Sequence, residues 1–171
     1  LCIGDSAFKM TLKLDALTLP KHTKSIGNNA FEGSGVETLI LNDGLKELGE
    51  HVFSSAFSLY ELTVPGSVQT ISNYCFSGSS LMSITLKEGI EEIGVSAFGN
   101  LNYLNSITIP ASVKRIGERA FEGPYLSSVT FAQGSGLESI GAYAFSCRTY
   151  YSGAQAPEGW HTNWSNNADG M

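Results

Sequence analysis

Charge is scarce in this chain, and basic charge is scarcest. Of 171 residues, 10 are Lys or Arg against 16 Asp or Glu, a formal net charge of −6. Phosphate backbones are held by clustered cations, so this balance argues against a nucleic-acid partner. The one adjacent basic pair, Lys114-Arg115, reads as a solvated turn rather than a patch. Long apolar runs are also missing. None approaches the ~18 residues that cross a bilayer, so no membrane insertion is expected of this segment. No basic stretch followed by an apolar one marks a leader at Leu1. Leu1-Cys2 enters directly before a repeat phrase, without the strand that should precede it. The segment is therefore expected to come from a longer protein, and the missing leader says nothing about secretion.

Cysteine is limited to 3 residues, which do not make a disulfide framework. Cys75 stands where other copies of the repeat described below have Ala, and Cys147 lies three repeats further on. At ~4.8 Å per stacked strand the two are ~14 Å apart, beyond the ~7 Å limit for a bridge. Both are expected to be unpaired thiols, and the redox compartment stays open. The 3 histidines, His22, His51 and His161, share neither helical spacing nor equivalent positions in adjacent repeats, so no metal or catalytic triad is expected. Asp43, Glu47, Glu88, Glu91 and Glu92 lack the ligand spacing of a calcium loop and read as solvated turns. With no phosphate loop and no nucleophile motif, no catalytic residue and no cofactor is expected. Asn163-Trp164-Ser165 matches the glycosylation sequon, which matters only in a eukaryotic secretory host.

What the chain has is repetition. A phrase, cleanest as Ile116-Gly117-Glu118-Arg119-Ala120-Phe121, also begins at Ile3, Ile26, Leu48, Ile71, Ile93 and Ile140. Its terminal residues are Phe8, Phe31, Phe53, Phe76, Phe98, Phe121 and Phe145, spaced 22 to 24 residues apart. A fixed period in this range means a solenoid of stacked units. The seven phenylalanines are then expected to form one internal file.

Between phrases runs a second pattern, L-x-x-L-x-L, as at Leu59/Leu62/Val64 and Leu104/Ile107/Ile109. Its last two apolar positions alternate with a polar or small residue, the signature of a strand with one buried face. A further aliphatic residue three before the phrase (Leu45, Val68, Ile90, Val113, Leu137; Thr23 in the first copy) marks a return segment. The pair between it and the phrase is polar, so the return should touch the core at two points as a second short strand or a tight helical turn. The Gly after the Ile suits either a positive φ or close packing against a neighbouring turn.

A finer period is present. Pro20, Pro65 and Pro110 end alternate strands, 45 residues apart, and the spacer after Phe8, Phe53 and Phe98 is the longer one. The chain reads as duplication of a two-repeat unit, with one register break at Gln133-Gly134-Ser135-Gly136. The array is expected over 1–147. The segment 148–171, rich in turn formers and holding Trp160 and Trp164, is expected to cap it, with a sugar-stacking platform as the alternative use of the tryptophans.

With both motifs in hand, residues 3–147 resemble the bacterial BspA-like leucine-rich-repeat surface proteins. The resemblance implies a leucine-rich-repeat solenoid, a right-handed superhelix of β/α type. Each repeat would carry one parallel strand, with 3-10 turns or second short strands on the return side. It further implies an extracellular or cell-surface module of host-associated bacteria, or of protists with similar repeats, used in adhesion. It supplies no catalytic motif.

One array offers a surface. The middle residue of each L-x-L points away from the core (Thr18, Ile40, Thr63, Thr85, Thr108, Thr130), as does the residue two earlier (Ala16, Thr38, Glu61, Ser83, Ser106, Ser128). Stacking turns these into two hydroxyl-rich ladders, which serve either as a solvated sheet or as a polar surface for a protein or glycan. The candidate contact residues are Tyr60, Glu61, Thr63, Thr85, Asn105, Thr108 and Thr130, with Tyr60 as aromatic anchor. This face is largely uncharged, so any affinity should depend weakly on salt. A stalk that spaces other domains is the first rival. An enzyme is the weaker one, because a glycosidase needs two carboxylates facing one cleft and only Glu61 offers one at these positions.

Overall fold

The computed structural model describes residues 1–145. Cys147, the expected cap with Trp160 and Trp164, His161 and the sequon at Asn163 lie outside the described residues.

Each turn of the coil holds a short strand and a longer one. The short strands are β1 (Cys2–Ile3), β3 (Ser25–Ile26), β5 (Glu47–Leu48), β7 (Thr70–Ile71), β9 (Glu92–Ile93), β11 (Arg115–Ile116) and β13 (Ser139–Ile140). They form one 7-stranded parallel sheet in chain order, each opening the phrase that follows it. The longer strands are β2 (Leu14–Thr18), β4 (Val36–Ile40), β6 (Glu61–Val64), β8 (Ser83–Leu86), β10 (Ser106–Ile109) and β12 (Ser128–Phe131). The return side is thus made of short strands, and no helix or 3-10 element occurs among the described residues.

Leu45, Val68, Ile90 and Val113 are fully buried on that return, and Leu137, after the register break, is half-buried. Thr23 is also fully buried, and its hydroxyl finds no partner among the described residues. Stacking is fixed by backbone bonds that repeat turn after turn. The Phe53 N–H donates to the Cys75 carbonyl at 2.7 Å, Phe76 to Ala97 at 2.8 Å and Phe121 to Ala144 at 2.7 Å. This pitch lays the phenylalanines on one another, with ring centroids 5.0 to 5.4 Å apart and planes within 14°. That is the offset-stacked regime in which aromatic pairs attract beyond their burial. The expected file is there, with Phe8 half-buried at its start. Cys75 lies wholly in the core as a free thiol, and burial pushes its pKa up.

The phrase glycine resolves to one of its two expected roles. Positive φ is absent at Gly27, Gly49, Gly94, Gly117 and Gly141. Instead a Cβ at Gly117 would sit 2.7 Å from the Gly94 carbonyl carbon and the Val95 nitrogen, with similar backbone clashes at the others. The left-handed residue is two places on, at Ser6, Asn29, His51, Tyr74, Ser96, Arg119 and Tyr143, with φ between 49° and 59°. Ser72, the departure from glycine, turns its Oγ to the Leu48 carbonyl at 2.5 Å.

The longer strands pair only in twos: β2 with β4, β6 with β8, β10 with β12. In two of the pairs the N–H just past the second strand closes the ladder, Lys87 on the Val64 carbonyl at 3.1 Å and Ala132 on the Ile109 carbonyl at 2.9 Å, while in β2–β4 the Leu19 N–H donates to the Ile40 carbonyl at 3.0 Å. At the junctions between pairs the equivalent residues are Pro65 and Pro110, which have no N–H to donate. The 45-residue period in the sequence is therefore a period in strand pairing. The ion pair of Lys87 with Asp43, 3.1 Å, reaches across the intervening proline turn.

Candidate functional site

Alternation along the longer strands does what the sequence pattern implies. In β6, β8 and β10 the side chains run exposed, buried, exposed, buried. Thr18, Ile40, Thr63, Thr85, Thr108 and Thr130 all face outward. Register places Thr63 opposite Thr85, Thr108 opposite Thr130, and Ser106 opposite Ser128. Both ladders exist, interrupted only at the proline junctions.

This face is indented by two open hollows. One, about 590 Å³, lies over β4, β6 and β8 and takes in Glu37, Ile40, Tyr60, Glu61, Thr63 and Thr85. The other, about 600 Å³, lies over β8, β10 and β12 and takes in Thr85, Thr108 and Thr130. The structure thus brings Tyr60, Glu61, Thr63 and Thr85 together, and Thr85, Thr108 and Thr130 together. Asn105 joins neither. Its carbonyl accepts the Ser127 and Ser128 N–H groups at 2.8 and 3.2 Å, and its side chain is engaged by the Ser127 hydroxyl.

Glu37, Ile40 and Leu41 were not among the candidate contact residues. Ile40 was readable as outward-facing. Glu37 falls on the first of two exposed positions, Glu37 and Thr38, that separate buried Val36 from Leu39. A strict two-residue alternation misses it, whereas the two-residue gap in L-x-x-L contains it. The first hollow therefore carries two carboxylates, which departs from the expected near-neutral face. Glycoside hydrolysis needs one such carboxyl in a dry setting and one in a wet setting. Both of these are exposed.

The return and turn side spends much of its charge internally. Glu91 pairs with Lys114 at 2.9 Å and Glu92 with Arg115 at 3.0 Å, which accounts for the one basic doublet. The Lys114 ammonium holds the Glu91 carboxyl below its ordinary value. Glu88 accepts the Ala111 and Ser112 N–H groups at 2.9 and 3.0 Å, and these bonds, Ala111 foremost, lower its pKa as well. Among the described residues no cluster of His, Cys, Asp and Glu has the makings of a metal site. His51 stacks on Tyr74 at 4.9 Å, as one rung of the ladder of left-handed residues.

Stacked parallel turns, a phenylalanine file and an exposed sheet of regular side chains define a leucine-rich-repeat solenoid, a class of repeat module that serves binding. The family profile described as "BspA type Leucine rich repeat region" matches residues 2–123 and 69–163 in 6 copies, and the chain belongs to that family. Among solved structures it is similar to the leucine-rich-repeat protein of T. pallidum, at 29% identity and a TM-score of 0.71 over 85% of this chain and 69% of that one. It also matches a leucine-rich-repeat protein from Eubacterium ventriosum, at 23% identity and a TM-score of 0.49 over 81% of this chain and 46% of that one. Comparison with curated proteins gives no match. No helix among the described residues is long and apolar enough to cross a membrane.

Proposed function

We propose that this chain is a binding module for a protein or glycan, acting at a cell surface or outside the cell, and that it docks its partner on the face of the longer strands. The observation that carries this reading is the contrast between the two sides of the coil. On the return and turn side, several carboxylates are paired with a cation of a neighbouring turn or with backbone, as Glu91 is with Lys114, Glu92 with Arg115 and Glu88 with the Ala111 and Ser112 N–H groups. On the strand side, hydroxyls, Tyr60 and two carboxylates stand exposed over two hollows. Backbone bonds hold the turns at a fixed pitch, so a partner meets side chains that need little further ordering. Surface association is common in the family, and adhesion to host molecules is the role it suggests. One observation favours a spacing role beside or instead of binding: the uninterrupted file of rings makes the coil stiff along its axis.

The test is capture by the immobilised chain from a panel of purified matrix proteins and glycans, followed by Thr85→Arg and Thr108→Arg. Both positions are exposed, so the variants should fold. A bulky cation in either hollow should weaken a genuine hit about tenfold or more through steric and charge mismatch. If both variants bind like the parent, the strand face is not the site. If nothing on the panel is captured, the spacing role stands alone.

A further inference from the structure

The two hollows differ in chemistry, and the difference names a partner. The second hollow offers hydroxyls and aliphatic edges but no ionisable group. The first holds Glu37 and Glu61 and no Lys, Arg or His. Neither carboxylate has an ion-pair or side-chain hydrogen-bond partner among the described residues. Glu32, Asp43, Glu91, Glu92, Glu118 and Glu122 all have a cation within reach. The same hollow exposes apolar surface, Ile40 at 55% and Tyr60 at 48%. Leu41, which also lines it, has a carbonyl opposite Pro65, where no N–H exists to complete the ladder. The hollow is therefore short of cations. The hydroxyls of Thr38, Tyr60, Thr63, Ser83 and Thr85 line it as well and can donate or accept, whereas its two carboxylates and the Leu41 carbonyl only accept, beside an aliphatic and an aromatic side chain.

Covering this surface removes water from two unpaired carboxylates. That loss is offset best by a group that is both positively charged and donor-only, which describes Lys and Arg. Neutral sugar hydroxyls supply donors without charge, and an acidic glycan is repelled. Resting on the binding role above, we propose that the hollow over β4, β6 and β8 is a docking site for a basic protein segment that presents a Lys or Arg beside an aliphatic side chain. The neutral hollow over β10 and β12 then extends the contact without choosing charge. Lys13, exposed just before β2 and outside the hollow, leaves this complementarity in place.

The probe is a fluorescein-labelled peptide repeating Lys-Gly-Leu-Gly, whose extended form alternates Lys and Leu on one side. Controls are Glu-Gly-Leu-Gly and Ser-Gly repeats of equal length, and a neutral cello-oligosaccharide. Anisotropy is read against the parent, Glu37→Gln/Glu61→Gln, and Glu47→Gln/Glu138→Gln. The last variant removes the same charge from the return side, where Glu47 has no cation in reach among the described residues and Glu138 lies in the field of Arg115. Melting curves check that each variant folds. The expected result is binding of the Lys/Leu peptide only, weakened about tenfold by Glu37→Gln/Glu61→Gln and unchanged by Glu47→Gln/Glu138→Gln. Raising salt from about 50 to about 300 mM should weaken the parent severalfold and the first variant little. No binding of the peptide, equal losses in the two double variants, or preference for the cello-oligosaccharide overturns the proposal. If Thr85→Arg or Thr108→Arg abolishes capture of a matrix protein while Glu37→Gln/Glu61→Gln leaves it intact, the strand face remains the site and only its charge preference falls.

Discussion

Phe121 shows what a single residue does in a stacked chain. Its ring lies between Phe98 at 5.0 Å and Phe145 at 5.2 Å and is almost wholly buried. The neighbouring turns cannot slide in to fill its place, because backbone bonds on both sides set their distance. Phe121→Ala should therefore destabilise by ~3–5 kcal/mol through the cavity it leaves. Phe57 has the same side chain but is 46% exposed and off the file. Phe57→Ala should stay within about 1 kcal/mol. Urea unfolding of the two variants checks this, and equal losses would remove the file as a source of stability. The left-handed residue of each turn was illegible at this scale. Its occupants range from Ser6 and Asn29 to Tyr74 and Arg119, and only Asn29 and His51 are of types enriched there.

Among the repeated elements the phrase glycine is a point of close approach, and its role is testable by position in the stack. At Gly117 an added methyl meets the preceding turn's backbone at 2.7 Å, whereas at Gly4 nothing lies within 4 Å. Gly117→Ala should cost ~1–3 kcal/mol by overpacking. Gly4→Ala should be neutral or slightly stabilising. Thermal unfolding decides it, and a neutral Gly117→Ala would mean the turns can spread. Ser72 shows that a side chain is accepted at one such position when its hydroxyl takes up the Leu48 carbonyl. The alternation of proline-ended strands was visible in the sequence as a 45-residue spacing. That it interrupts the ladder required seeing which carbonyl each proline faces.

For the molecule as a whole, each turn is supported mainly by the turns beside it, so stability should vary along the coil. The turn carrying β1 and β2 has its apolar residues Ile3, Phe8, Leu14 and Leu17 only partly covered, while the equivalent residues of the central turns are buried. Amide hydrogen exchange of this segment followed by mass spectrometry should find the turn carrying β1 and β2 exchanging faster than the turns carrying β5 to β9. Uniform protection along the array would instead show a single cooperative unit.

Period, strand pattern and phenylalanine file were all readable from the chain, because in a solenoid the burial of every turn is written at the same place in every repeat. Outward Thr63, Thr85, Thr108 and Thr130 follow from the same alternation. Tertiary structure alone decided which outward residues share a hollow. Glu37 and Glu61 are separated by a whole turn of chain, and they line one hollow because β4 and β6 lie side by side. Asn105, equally plausible in the sequence, is spent on holding the next turn. Periodicity determines which side chains face water. Only the pitch and pairing of the turns determine which of them a partner can touch at once.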